Sequence, residues 1–256
     1  MTYLQAITLG LLQGLTEFLP VSSSGHLAIA EAFFAIKETA LSTIFLHFAT
    51  LVAVVFYFKV KIIKLSLKQW FFIWVANLPV MVVGFAMRDW LKVSSSNLTL
   101  VGWALLITAL INFLMQSFLQ SKTFVKSKQA GLPSFDQMVK IGLFQILALV
   151  PGVSRSGTTI ASGLGLKLSR QSAFEFSFLL ALPTILVATG YQMLGVWQDG
   201  LAGVMVGPLL IASLVAGVTG YFALTWLAQL LKQSNFVWFG VYTGVLGIVV
   251  LLVQFF

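Results

Sequence analysis

Six stretches of the chain run nineteen residues or longer without a charged side chain: 39–58, 69–87, 93–121, 176–198, 200–231 and 233–256. A helix needs about 20 apolar residues to cross the hydrocarbon core of a bilayer. The runs are continuously apolar rather than alternating, which selects helices over barrel strands. They predict spans at 40–58, 70–87, 98–119, 174–194, about 203–230 and 236–256. Four further apolar segments are too short or too interrupted to cross. Residues 3–18 end at Glu17 ahead of the Pro20 turn, and 27–36 cover ten positions. Residues 138–150 stop at Pro151-Gly152, and 158–168 contain Ser162, Gly163 and Gly165. Short helices paired by a polar turn are the pattern of re-entrant hairpins. The predicted fold class is all-α: a polytopic integral membrane protein with six transmembrane helices plus two re-entrant helical hairpins.

The two polar turns are copies of one another. Gly10, Leu11, Gln13, Val21, Ser22, Ser24 and Gly25 recur as Gly142, Leu143, Gln145, Val153, Ser154, Ser156 and Gly157, always 132 positions later. That offset is about half of the 256 residues, which points to a duplication. The halves are placed at approximately 1–121 and 133–256, with a linker at about 122–132. Three spans per half turn the second copy over relative to the first, so the repeat is an inverted one.

Composition agrees with this picture. Hydrophobic residues make up 59% of the chain, charged residues 9%, and mean hydropathy is +1.00, which excludes a soluble globular domain. No basic residue precedes Glu17 and no small-residue cleavage pattern follows, so the first apolar segment is expected to stay on the protein. The absence of cysteine excludes a disulfide framework and any thiolate chemistry. A net charge of +8 invites a nucleic-acid reading, but the basic residues follow the spans instead. On the predicted topology one side holds Lys59, Lys61, Lys64, Lys68, Lys122, Lys126, Lys128, Lys140, Lys167, Arg170 and Lys232, and the other only Lys37, Arg88 and Lys92. The positive-inside rule makes the first side cytoplasmic and places both termini outside. The lysines therefore orient the protein and meet anionic headgroups, and no aromatic-basic interleaving of a nucleic-acid surface is present. Trp70, Trp74, Trp90, Trp103, Trp197, Trp226 and Trp238 read as interface anchors or packing.

Charges at membrane depth are few, and each is informative. Glu17, Arg155 and Glu175 stand out, with His26 and His47 beside them. The first turn places Ser22, Ser23, Ser24 and Gly25 ahead of a short helix. The second places Ser154, Arg155, Ser156 and Gly157 in the same register, followed by Thr159. Serine hydroxyls and the free N–H groups of a helix start form an anion cradle, although such serines also serve as ordinary helix caps. Arg155 adds a guanidinium matched to phosphate oxygens. So many donors fit a diphosphate better than a carboxylate. Ser23 is a nucleophile if a base takes its proton, and His26, three positions on, can share its face. Glu17 can orient His26, act as the base, or hold a divalent cation on the phosphates. His47 lies mid-span without a partner near in sequence, so a structural or cavity-lining role is expected. Glu175 reads as half of a buried ion pair or as support for the site.

Two stretches carry a family resemblance. Gly14-Leu15-Thr16-Glu17-Phe18-Leu19-Pro20-Val21-Ser22-Ser23-Ser24-Gly25-His26 resembles the first signature of the undecaprenyl-diphosphate phosphatases of the bacitracin-resistance family. Pro151-Gly152-Val153-Ser154-Arg155-Ser156-Gly157-Thr158-Thr159 resembles the second, and the stretch from Glu175 to Ala181 a further one. The resemblance covers nearly the whole chain. It implies an enzyme of the bacterial cytoplasmic membrane, facing the outer side, that removes the terminal phosphate of undecaprenyl diphosphate. The lipid carrier is thereby recycled for peptidoglycan, and bacitracin resistance follows. It implies a divalent cation, usually magnesium or calcium. Glu17, Ser23, His26 and Arg155 fall on the family's catalytic positions. Gln13, Ser22, Ser24, Gly25, Ser154, Ser156, Gly157 and Thr159 fall around the diphosphate. The first acidic motif of the family takes Glu or Gln four residues before its second acid; this chain has Gln13, so Glu17 alone supplies a carboxylate there. The alternative kept beside hydrolysis is a polyprenyl-phosphate transporter or flippase using the same inverted-repeat site. Homo-oligomerisation is left open.

Overall fold

The computed structural model describes residues 1–36, 40–120, 131–199, 206–233 and 235–255. Among them the chain forms α-helices throughout: α1 (Tyr3–Phe18), α2 (Ser23–Phe33), α3 (Ala40–Lys64), α4 (Leu67–Ala86), α5 (Arg88–Ser94), α6 (Leu98–Gln120), α7 (Phe135–Phe144), α8 (Arg155–Gly165), α9 (Arg170–Asp199), α10 (Val206–Gln233) and α11 (Val237–Phe255). Six of these, α3, α4, α6, α9, α10 and α11, are long and apolar enough to cross a membrane, and they match the six predicted spans. The chain is an integral membrane protein. The proposed linker, with Lys37, Lys122, Lys126 and Lys128, lies largely outside the described residues, as does the Trp197 side chain.

The boundaries differ from the sequence reading in ways the physics accounts for. α3 runs on past Phe58 through Lys59, Lys61 and Lys64, because lysines in a last turn complement the helix dipole and keep their ammonium groups in water. α2 begins at Ser23 and α8 at Arg155, about four and three residues earlier than the apolar pattern indicated. The polar residues assigned to the turns are thus the first helical turns, capped from outside by Ser22 and Ser154. The segment predicted at 138–150 is α7 followed by a 3₁₀ turn over Gln145–Leu149. α5 was not anticipated.

α1 is about 24 Å long, short of a full span, and folds back on α2. It packs along α10 through Gly10 and Gly14, where a Cβ would overlap the carbonyls of Ala212 and Ala216. α7 packs on α4 in the same manner through Gly142, against the Ala76 carbonyl. α3 lies between α9 and α10, and α6 between α11 and α8. The main core fills the middle of this bundle, with Phe18, Phe58, Phe174, Phe176 and Phe178 buried.

Candidate active site

Both turns are built from the same local interactions. Ser22 caps α2 by accepting the Gly25 amide at 3.3 Å, and Ser154 caps α8 by accepting the Gly157 amide at 3.1 Å. In each turn the capping hydroxyl also lies 3.2 Å from the serine two positions on, Ser24 or Ser156. The cap leaves the earliest N–H groups of each helix without an intrahelical partner, so each helix presents its positive end. Ser22 holds a left-handed backbone, φ 73°, rare for a residue with a side chain. Its carbonyl is held by the His26 ring Nδ1 at 2.7 Å.

The turns touch. The Gly152 amide donates to Ser24 Oγ at 3.1 Å, and Ser156 Oγ donates to the Leu19 carbonyl at 3.2 Å. Gly152 has φ +101°, and a Cβ there would also run into Ala104, so only glycine fits this crossing. α6 ties both turns from one side. Its Asn112 donates to the Pro20 carbonyl at 2.7 Å, while Thr108, one turn earlier, donates to the Gly152 carbonyl at 2.8 Å and accepts the Ser154 amide at 3.0 Å.

At the meeting point Glu17 is buried and fully engaged. Arg155 Nη2 donates to Oε1 at 2.8 Å. Ser23 Oγ donates to Oε2 at 2.6 Å, and Gln13 Nε2 to the same oxygen at 3.3 Å. The His47 ring Nε2 stands 3.9 Å from Oε2, and its Nδ1 lies 2.9 Å from the Thr43 carbonyl. A carbonyl only accepts, so Nδ1 carries the hydrogen and a neutral ring leaves Nε2 as the basic nitrogen. Arg155 also lies over the Phe178 ring, 5.7 Å from its centre. A cavity of about 210 Å³ opens onto this set, lined by Thr16, Glu17, Ser22, Ser23, Ser24, His47, Ser154 and Arg155 among others, with Thr184 to Gln192 of α9 opposite.

Two expectations change. His26 is not placed to serve Ser23: its Nε2 is 2.7 Å from Tyr242 Oη on α11, its Nδ1 is on Ser22, and it does not line the cavity. Gln13, Gly25, Ser156, Gly157 and Thr159 stand behind the cavity wall rather than on it. Thr159 bonds to the Arg155 carbonyl at 2.8 Å and to Ser177 Oγ at 2.6 Å. Gln145, the copy of Gln13, faces Asn77 and Thr184 instead of an acid. His47 lines the cavity, as expected, and also joins the charged cluster. Tyr242, Thr108 and Asn112 were not singled out in the sequence. Each is far in sequence from what it holds; the available signal was the row Thr108, Asn112 and Gln116 on one face of an apolar span, and for Tyr242 a hydroxyl within an apolar span.

The donor set does not form a cation cage. No group of three His, Asp or Glu side chains that could hold a metal occurs among the described residues. Both oxygens of the one carboxylate in the cavity are already engaged by protein donors. These residues do not fit a divalent ion bound by protein alone.

Fold and site together define a polytopic membrane protein with a buried, charge-paired polar centre assembled from two helix-start turns. The chain belongs to the family described as bacitracin resistance protein BacA, whose model matches residues 6–249. It is 38% identical over 262 residues to an "Undecaprenyl-diphosphatase" of Flavobacterium johnsoniae, covering 100% of this chain and 97% of that one. It is 34% identical to the protein of the same name from Sulfurovum sp., over 99% and 100% of the two chains. An "Undecaprenyl-diphosphatase 4" of Bacillus thuringiensis subsp. konkukian is 35% identical over 100% of this chain and 98% of that one.

Proposed function

We propose that the protein hydrolyses undecaprenyl diphosphate to undecaprenyl phosphate and inorganic phosphate, returning the lipid carrier to cell-wall synthesis. The observation that carries this reading is the Ser23 hydroxyl bonded to the Glu17 carboxylate at 2.6 Å, with Arg155 on the other carboxylate oxygen. A binding pocket alone has no need of a serine poised on a base. No observation calls for transport.

The arriving diphosphate draws Arg155 from Glu17 onto the phosphate oxygens, where a guanidinium binds in a fork. Glu17, released from that pairing, takes the Ser23 proton. Ser23 Oγ attacks the terminal phosphorus, the anhydride P–O bond breaks, and undecaprenyl monophosphate leaves carrying the proton from Glu17, which is again a carboxylate. Glu17 then takes a proton from water, the water oxygen attacks the phosphoserine phosphorus, the P–Oγ bond breaks, and the proton passes to Ser23 Oγ as inorganic phosphate leaves. Arg155 and the amides at the starts of α2 and α8 stabilise the equatorial charge in both steps. His47 Nε2 exchanges protons with Glu17 across the cavity. A divalent cation, magnesium or calcium, would be held chiefly by the diphosphate oxygens, with Glu17 as the one carboxylate beside it, and would supply counter-charge there.

The cavity is proposed to face the outer side of the membrane. It lies at the Thr43–His47 end of α3 and the Thr184–Gln192 end of α9. The lysine-rich ends of these helices, Lys59 to Lys64 and Arg170, lie opposite, and lysine-rich ends are cytoplasmic.

Purified protein supplied with undecaprenyl diphosphate and magnesium is expected to release phosphate, and Arg155→Ala to lower turnover about 100- to 1,000-fold. Ser23→Ala is expected to abolish a trappable phosphoenzyme. Full activity in Ser23→Ala, or none in the wild type, sinks the scheme.

A further inference from the structure

A second, larger cavity of about 840 Å³ lies at the other end of the α3/α9 cleft. α3 lends His47 to the catalytic cavity and Lys61 and Lys64 to this one, about 20 Å further along its axis. Phe58, Phe174 and Phe178 close the cleft between them, with ring centres 5.0 to 6.1 Å apart. The second cavity thus has an aromatic floor and a basic mouth. Lys61, Lys64, Arg170 and Lys232 line it against a single acid, Glu175.

These cations are not equivalent. Arg170 spends its guanidinium on helix ends, donating to the Lys232 carbonyl of α10 at 2.9 Å and, at 3.4 Å, to Leu119 of α6. It acts as a fixed positive wall. Lys61 is paired with Glu175, which Gln171 also holds at 3.0 Å. Lys64 and Lys232 are exposed at the rim. Arg170 and Gln171 also form the first turn of the thirty-residue α9, whose positive end faces the same space. Three positive charges remain after the Lys61–Glu175 pair is cancelled, all around one apolar-floored hollow. Lysines that only orient a membrane protein have no reason to ring a cavity.

We infer that this cavity binds the phosphate headgroup of an anionic membrane lipid, with Lys64 and Lys232 on the phosphate and the Tyr57, Phe58 and Phe174 rings against the first part of the lipid tail. Free phosphate shares the headgroup chemistry but has nothing to place on the rings, so the lipid is the favoured occupant. The inference stands on the cavity alone and does not depend on the hydrolytic reading.

The test is native mass spectrometry of the full chain released from phosphatidylcholine nanodiscs containing a minority of phosphatidylglycerol. The wild type is expected to retain phosphatidylglycerol selectively. The double substitution Lys64→Gln with Lys232→Gln should weaken that retention roughly 30-fold, about fivefold per lysine. Glu175→Gln should strengthen it, because Lys61 is then unpaired. This opposite sign separates charge from misfolding, and undiminished phosphate release by the lysine variant in detergent shows that it is folded. Equal retention of the two lipids by the wild type, or unchanged retention in the lysine variant, overturns the proposal. Displacement of the lipid by a millimolar excess of inorganic phosphate overturns it too, and reassigns the cavity to the free ion.

Discussion

Arg155 occupies the first position of α8, where the helix dipole opposes a positive charge. In a half-buried site within a membrane bundle that placement is unfavourable unless an anion shares it. Glu17 supplies that anion, and on the proposed mechanism a phosphate of the substrate takes its place. The pair keeps both charges compensated, and the proposed mechanism uses it as a place-holder that hands Arg155 over on binding. A planar fork is needed for that exchange, so Arg155→Lys is expected to behave as a loss, with kcat/KM down about 10- to 100-fold despite the retained charge. Wild-type values in that variant would mean that charge alone suffices. His26 makes the contrasting case. Its two ring nitrogens hold the strained Ser22 carbonyl and Tyr242, so it positions the turn. Tyr242→Phe should cost about 1 kcal/mol in thermal unfolding and only a few-fold in turnover, with a pH–rate profile of unchanged shape. A profile displaced in Tyr242→Phe would instead make His26 a proton-transfer group. His47→Gln, by contrast, removes the basic nitrogen facing Glu17, and turnover should fall about 100-fold with KM unaltered.

At the scale of elements, α6 acts as a ruler for the two turns. Thr108 and Asn112 are one helical turn apart and fix Gly152 and Pro20 respectively, so the spacing of the turns is set by the rigid rise of one helix. Asn112→Leu keeps the volume but leaves the Pro20 carbonyl buried without its donor. The expected loss is about 1 kcal/mol in stability, with a larger drop in turnover because Ser23 and Glu17 follow that turn. Equal losses in stability and activation free energy would mean that the turn is held elsewhere. Gly142→Ala should destabilise by about 1–3 kcal/mol, since its Cβ meets the Ala76 backbone, which cannot step aside. The spans, the short helices and the Glu17, Ser23 and Arg155 cluster were legible in the sequence because each is written locally, in an apolar run or a repeated motif. The boundaries at Ser23 and Arg155 were not, since a capping serine and a first-turn serine look alike. Nor were Thr108, Asn112 and Tyr242, whose partners lie 44, 92 and 216 positions away; nothing in a single sequence links such positions. Gly10 and Gly142, the same position of the repeated motif, seat α1 on α10 and α7 on α4.

For the whole molecule the question is which end of the α3/α9 cleft meets which side of the membrane. The catalytic cavity and the basic cavity are its two ends, separated by the Phe58, Phe174 and Phe178 rings. If lysine-rich ends are cytoplasmic, the catalytic cavity takes diphosphate from the outer side and the basic cavity meets the anionic inner leaflet. The chain contains no cysteine, so single-cysteine labelling has no background. Gln192→Cys, at the catalytic cavity, is expected to react with a membrane-impermeant maleimide in intact cells, and excess inorganic diphosphate should slow that reaction. Lys64→Cys, at the rim of the basic cavity, should react only after the membrane is permeabilised. The reverse pattern would invert the assignment and place hydrolysis on the cytoplasmic side. Labelling of both positions from one side would mean that the aromatic barrier opens. Because the two residues belong to opposite ends of one cleft, the pair of measurements orients the whole bundle, and with it the side from which the lipid carrier is recovered.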